Sequence, residues 1–365
     1  MKLTKGVPEE FNPATDAQRW DHLPVIDFSP WYRGSYHDRA VLVAELFEAA
    51  TTSGFFYLSG HGVPDSCISA AYSASAEFHR QPAQYKEKYA ISLSKCHRGW
   101  ASFDQTSGFQ QDGKLIRNYY EAFDLSFEVP ANDPRACSGF GLVGPNVWPD
   151  LFGFRRDVSA YYDAIYELGR ALMSAFELSL DLDPSALLKS VNVPTSQLRL
   201  LKYVENDAPC DELNAGISAH SDYECFTILH TSGPGLQVLS YDGHWVEAPP
   251  QPNTFLVNIG DCLEALTGGK FKATQHRVIN LGQERFSLPF FFSVDYETEV
   301  RPLPDFSSDA AISKYPPFQA GEHLWARTIQ TFPYLKELHE KGSLSVDFSV
   351  AEENPFRRVS IEEMS

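Results

Sequence analysis

Three short stretches carry side chains that could act together. His220-Ser-Asp222 sets an imidazole and a carboxylate two residues apart. On an extended strand, residues i and i+2 face the same way, so both groups can approach one ion. His276 opens a β-prone run at 276–280, and a second imidazole from a neighbouring strand would complete a face of three ligands. Two histidines and one carboxylate, with coordination positions left open, suit non-haem Fe(II) and oxygen chemistry. A His-x-Asp pair alone carries little weight, because a strand histidine is more often a hydrogen-bonded core residue.

Arg285-Phe-Ser287 follows in the next strand-like run. Arg-x-Ser on a strand again puts both side chains on one face. A guanidinium offers a planar fork of donors that matches a carboxylate, and a serine adds a hydroxyl. Together they could hold the far carboxylate of a dicarboxylic acid. A surface ion pair is the usual fate of an arginine. Arg285, however, opens the apolar run Phe286-Ser-Leu-Pro-Phe-Phe-Phe292, and a cation there needs a buried anion nearby. Zinc sites also use histidine and carboxylate, but the Arg-x-Ser pair does not suit a zinc hydrolase.

The elements that must position these groups change in texture along the chain. Residues 1–23 are mixed and polar, an irregular arm. Pro24–Phe28 and Gly54–Leu58 are β-prone, and Gly60–Pro64 turns the chain. Residues 38–52 place Val43, Leu46, Phe47 and Ala50 at helical spacing, and 65–90 continues as helix. Residues 91–150, rich in Gly, Ser, Asn and Pro, read as loops with short strands. The longest helical pattern is 155–180, with Val158, Tyr161, Ile165, Leu168, Leu172 and Phe176 on one face. From 197 onward, short β-like runs at 199–203, 225–231, 235–240, 254–259, 276–280 and 286–294 alternate with turn residues, the pattern of a sandwich or barrel. The reading is a single domain over 1–365, mainly β with flanking helices. It comprises an N-terminal mixed region at 24–140, a backing helix at 155–180, a β core at 197–295, and a tail or lid at 296–365.

Beyond the triad, Pro24-Val-Ile-Asp-Phe28, Gly54-Phe-Phe-Tyr-Leu-Ser-Gly-His-Gly-Val63, Gly235-Leu-Gln-Val-Leu239, Val257-Asn-Ile-Gly-Asp261 and Leu266-Thr-Gly-Gly-Lys270 resemble the isopenicillin N synthase-like family of iron(II)/2-oxoglutarate-dependent dioxygenases. The resemblance runs from about 24 to about 295. It implies a double-stranded β-helix, or jelly roll, backed by helices. It implies Fe(II) on His220, Asp222 and His276, and the C5 carboxylate of 2-oxoglutarate on Arg285 and Ser287, joined by Tyr203. It implies oxidation of a small molecule by O2: hydroxylation, desaturation or cyclisation, in a secondary-metabolism setting. Leu201 departs from the pattern, because many plant members carry Asn there. Two other readings stand beside this one. The family's namesake uses O2 without 2-oxoglutarate, and there the Arg and Ser hold a substrate carboxylate; some relatives use ascorbate. A jelly roll that binds metal without catalysis is the third, and such a protein would be expected to have lost part of the triad.

For the substrate walls the sequence offers Phe226, Phe290 and Phe292. The loop 97–124 adds Arg98, Tyr119 and Glu121, which could read a polar substrate or could be solvated. The aromatics of 318–340, His323, Trp325 and Phe332, read as packing in a segment that covers the site. His61 and His230 read as structural, and Cys225 and Cys262 as small buried hydrophobes.

Bulk properties narrow the partners. The net charge of −18 would repel phosphate backbones and anionic lipid, which argues against nucleic acid and membrane surfaces as partners. No run of 18 apolar residues suggests a membrane span, and Met1-Lys-Leu-Thr-Lys-Gly lacks an apolar leader. The six cysteines are scattered without a Cys-x-x-Cys pair, which suits a reduced compartment. The expectation is a cytoplasmic monomer that meets a small-molecule substrate and O2.

Overall fold

The computed structural model describes residues 22–350, apart from 107–108, 112–113, 138–140, 212, 345, 347 and 349. All but the end of the expected N-terminal arm, and the end of the tail, lie outside the described residues.

Among the described residues, fourteen strands build two sheets. They are β1 (Val25–Asp27), β2 (Phe55–Ser59), β3 (Gly99–Ala101), β4 (Phe109–Gln111), β5 (Lys114–Asn118), β6 (Tyr120–Ser126), β7 (Gln197–Tyr203), β8 (Asn214–His220), β9 (Phe226–Thr231), β10 (Leu236–Leu239), β11 (Trp245–Glu247), β12 (Phe255–Ile259), β13 (His276–Ile279) and β14 (Arg285–Phe292). The larger sheet runs β1-β2-β12-β9-β14-β7-β6-β3, and the smaller runs β11-β10-β13-β8-β5-β4. β1–β2 and β5–β8 pair in parallel, and every other pairing in these two sheets is antiparallel. The fold is a jelly roll.

Strand alternation divides the larger sheet into two faces. Leu198, Leu200, Phe226, Ile228, Leu288, Phe290 and Phe292 join a core shared with the helices. Tyr57, Tyr120, Ala122, Leu201, Tyr203 and Leu256 face the other way, and pack with Leu236, Val238 and Val278 of the smaller sheet. The second group is the inside of the roll.

The helix Phe154–Ser179 backs the larger sheet. Val158, Tyr161, Ile165, Leu168, Leu172 and Phe176 are all buried, each contributing roughly 1.5–3 kcal/mol of apolar transfer. Gly169 lets the helix lie against the Phe292 ring: a Cβ there would come within 2.4 Å of it. The helix Tyr36–Thr51 opens on a capping box between Ser35 and Asp38, which satisfies backbone donors the first turn leaves free. The helix expected over 65–90 stops at His79. Pro82 accounts for the break, since proline disfavours helical backbone in the residue before it. Residues 91–150 hold more sheet than their composition suggests, because all seven residues of β6 are buried in the larger sheet. β8 lies outside the β-like runs of the sequence. Its sequence, Asn-Ala-Gly-Ile-Ser-Ala-His, has weak strand propensity, and it is held by β13 on one side and β5 on the other. Among the described residues, no helix is long and apolar enough to cross a membrane, and Cys67, Cys96, Cys210, Cys225 and Cys262 are free.

Candidate active site

His220 closes β8 and His276 opens β13, and the two are direct cross-strand partners. Their ring centroids lie 4.4 Å apart. Each imidazole is oriented through Nδ1, which lies 2.8 Å from the Ser218 carbonyl in His220 and 3.3 Å from the Thr274 carbonyl in His276. A carbonyl can only accept, so Nδ1 carries the proton and Nε2 is left as a ligand atom.

Asp222 does not lie on the strand. β8 ends at His220, so the same-face spacing expected of the pair is not what aims the carboxylate. A turn carries Asp222 back toward the histidines, and its neighbours hold it there. The Asn258 amide of β12 donates to Oδ2 at 2.6 Å, and the Thr227 hydroxyl of β9 donates to the same oxygen. Oδ1 is left facing His220 Nε2 at 3.4 Å and His276 Nε2 at 3.6 Å. Gly260 permits the close approach of this turn, because a Cβ there would meet the Glu224 carbonyl at 2.3 Å.

Three ligand atoms within 4.8 Å of one another form a pocket for one cation. The electrostatics agree. Burial alone would raise the Asp222 carboxyl, but the facing histidines and the Asn258 amide hold it well below the usual carboxylate range. Burial pushes His276 down to about 4. Burial also works against a charged His220, yet the Asp222 carboxylate keeps its pKa above the ordinary value. A carboxylate that stays ionised between two aimed imidazoles is a donor set for a divalent metal.

Arg285 and Tyr203 lie opposite each other on β14 and β7. The guanidinium sits 3.5 Å above the centre of the Tyr203 ring, and Nη1 reaches the Thr231 hydroxyl at 3.4 Å. Nη2 is buried with no hydrogen-bond partner. A buried, unpaired guanidinium nitrogen costs free energy unless an acceptor meets it, and a carboxylate fits that donor. Ser287, two residues along the same face, is buried as well. Gly235 leaves room for this end of Arg285, since a Cβ there would lie 3.0 Å from Nη2.

The substrate walls read from the sequence fare differently. Phe226, Phe290 and Phe292 belong to the helix-side core, where Phe226 stacks on Phe292 at 4.7 Å and packs edge-on to Phe176 at 5.5 Å. They do not line the inside of the roll. Strand parity explains this: Arg285 and Ser287 face inward, so Pro289 and Phe291 share their face, while 290 and 292 cannot. Arg98 is fully buried, and its Nη1 and Nη2 donate to the carbonyls of Cys96, His97 and Leu142. Glu121 lies on the outer face of β6, bonded to Lys86 at 2.7 Å and to the Trp100 indole at 2.8 Å. Tyr119 donates to Asn214 at 3.0 Å. His61 and His230 have local partners, the Val63 amide and the Tyr72 hydroxyl. Asn258, Thr227, Phe291 and Arg199 do not stand out from the sequence alone. Phe291 and Arg199 were within reach of period-2 counting from Arg285 and Tyr203.

Residues 23–151 match the N-terminal region of the non-haem dioxygenases of morphine synthesis, and residues 195–294 match the 2OG-Fe(II) oxygenase superfamily. The 2-oxoglutarate-Fe(II) type oxidoreductase hxnY of Emericella nidulans is 31% identical over 331 residues, covering 87% of this chain and 94% of that protein. The chain belongs to the 2OG-Fe(II) oxygenase superfamily. The oxygenase is also 34% identical to the 2-oxoglutarate-Fe(II) type oxidoreductase ppzC of Metarhizium majus, over 80% of this chain and 83% of that one. Among solved structures it resembles a 2OG-Fe(II) oxygenase family protein from Caulobacter crescentus, with TM-score 0.73, 28% identity, and coverage of 85% and 99%. A full-length Neurospora crassa protein solved in complex with alpha-KG has TM-score 0.71, 24% identity, and coverage of 84% and 95%, a likeness of fold. The oxygenase is a non-haem iron oxidoreductase that works with Fe(II) and 2-oxoglutarate. The isopenicillin N synthase-like label is a coarse fit, and the relatives favour the 2-oxo acid over the namesake's chemistry without it.

Proposed function

We propose that His220, Asp222 and His276 hold Fe(II), and that Arg285, Ser287 and Tyr203 hold the C5 carboxylate of 2-oxoglutarate, for oxidation of a small secondary metabolite. The observation that carries the co-substrate half is Arg285 Nη2, buried and unpartnered over the Tyr203 ring. Bound at the triad, Fe(II) with the 2-oxo acid and O2 supplies the oxidising power. The chain's own work is orientation. Asn258 and Thr227 fix the carboxylate, the Ser218 and Thr274 carbonyls fix the imidazole tautomers, and the strand pair β7–β14 sets the anion's anchor. Leu201, buried on the inner face beside Tyr203, adds apolar wall where an Asn would add a polar contact. The metabolite reading draws on relatives such as the clavatol oxidase claD of Penicillium crustosum, 30% identical over 79% of this chain and 90% of that one.

Anaerobic absorption spectroscopy tests the assignment. Fe(II) plus 2-oxoglutarate should give a weak visible charge-transfer band that is absent with either alone. His276→Ala should abolish it at any 2-oxoglutarate concentration, and Arg285→Gln should demand far more 2-oxoglutarate to reach it. Iron binding without the band would return the site to an O2-only oxidase.

A further inference from the structure

Two strands run from the co-substrate anchor toward the opposite end of the roll. On β14 the inward face carries Arg285, Ser287 and Phe291, so Phe291 lies six residues, about 20 Å, from Arg285. On β7 the same face carries Tyr203, Leu201 and Arg199. Phe291 pairs across β9 with Thr227, the residue that donates to Asp222. The Arg199–Phe291 end is therefore next to the metal ligands and away from the carboxylate anchor.

Arg199 is built into that end. Its Nε and Nη2 both bond the Asp124 carboxylate at 2.8 Å, and the Asp124 side chain is 0% exposed while Arg199 keeps 16%. Among the described residues, nothing engages its Nη1, which leaves two N–H donors. The guanidinium lies 5.9 Å from the ring centroids of both Phe291 and Phe332. Phe291 is half-buried. Phe332 is brought over by the C-terminal segment and packs on His97 at 4.4 Å, while His97 in turn meets the Tyr334 hydroxyl at 2.8 Å. His220 keeps 30% of its side chain exposed.

We infer that Arg199, held by Asp124 and flanked by Phe291 and Phe332, selects the substrate: a flat conjugated ring bearing an oxygen acceptor in or near its plane. Phe291 supplies a stacking face, for which planar partners are preferred, buried Phe332 backs the guanidinium, and Nη1 supplies the donors for a carbonyl, hydroxyl or carboxylate oxygen. Asp124 already offsets the arginine's charge, so neutral or singly charged ligands fit and dianions do not. This inference rests on the metal and co-substrate assignment above, because that assignment leaves this end of the roll for the substrate.

Isothermal titration of the full chain, loaded anaerobically with Fe(II) and 2-oxoglutarate, tests it with 2-pyridone, benzoate and cyclohexanone as probes. The two flat probes should bind the wild type at least tenfold more tightly than puckered cyclohexanone. Arg199→Met combined with Asp124→Asn removes both charges, so neither is stranded, and should weaken the flat probes by about tenfold or more. Phe291→Leu should weaken them too. The charge-transfer band and the 2-oxoglutarate affinity should stay unchanged in each variant, which reports an intact fold. Equal binding of flat and puckered probes, absence of flat-probe binding in the banded wild type, or undiminished binding in the banded double variant would each overturn the inference. A wild type without the band would sink the co-substrate assignment, and probe binding lost only on the Arg199 change would still support this one.

Discussion

At the residue scale, the site depends on side chains that touch the ligands rather than the ion. Asn258 and Thr227 load one carboxylate oxygen of Asp222 and leave the other for the histidines. Partners of this kind are typically worth ten- to a hundredfold in metal affinity. Asn258→Ala should therefore weaken Fe(II) binding by about 10–100-fold, measured by competition with a metallochromic chelator, and an unchanged affinity would refute the role. Arg285 presents a fork that lysine lacks. Arg285→Lys keeps the charge but should raise the 2-oxoglutarate concentration at half-maximal band by roughly tenfold or more, with iron affinity unchanged.

At the element scale, β14 shows how one strand serves two interiors. Phe290 and Phe292 face the helix Phe154–Ser179, and Arg285, Ser287 and Phe291 face the site. Phe292→Ala should cost about 3–5 kcal/mol in unfolding free energy through the cavity it leaves, with 2-oxoglutarate affinity retained in the folded fraction. Gly169→Ala, which drives a Cβ to 2.4 Å from the Phe292 ring, should cost about 1–3 kcal/mol by overpacking. Urea unfolding at neutral pH measures both. Equal stability of Phe292→Ala and wild type would mean that the strand faces the other way.

At the scale of the whole molecule, histidines buried away from the metal ligands tie stability to pH. Burial pushes His79 down to about 4 from its ordinary 6.5, and holds His97 well below it. The unfolded chain binds protons at these groups first, so stability is full above pH 6.5 and falls as pH drops toward 4. For His79 alone the full swing is about 3 kcal/mol. His79→Phe should flatten the fall in urea midpoint between pH 7 and pH 4.5. A slope equal to the wild type's would show that His79 does not contribute. Nearby, Glu121, Lys86, Trp100 and Lys202 form a largely buried polar cluster, where Glu121→Ala would take from Lys86 its carboxylate partner while Lys202 keeps Glu284.

The chain's local chemistry was enough to indicate the ligand types, the arginine anchor, the long backing helix and the alternating strands that make a jelly roll. Each of these depends on neighbours in sequence: a residue type, a period of 2, a period of 3.6. Period 2 also held the answer for Phe291 against Phe290 and Phe292, once Arg285 was taken as facing inward. Other features depended on distant partners. β8 has little strand propensity, and forms because β13 and β5 supply its hydrogen bonds. Asp222 leaves the strand and is aimed by Asn258 and Thr227. Arg98 and Glu121 are engaged instead, Arg98 by the neighbouring Cys96 and His97 carbonyls and the distant Leu142 carbonyl, Glu121 by Lys86 and Trp100. Arg199 meets Asp124, Phe291 and Phe332 only after three separate stretches converge. A side chain's type is written locally, but whether its donors are already spent is decided by residues that only folding brings within 3 Å.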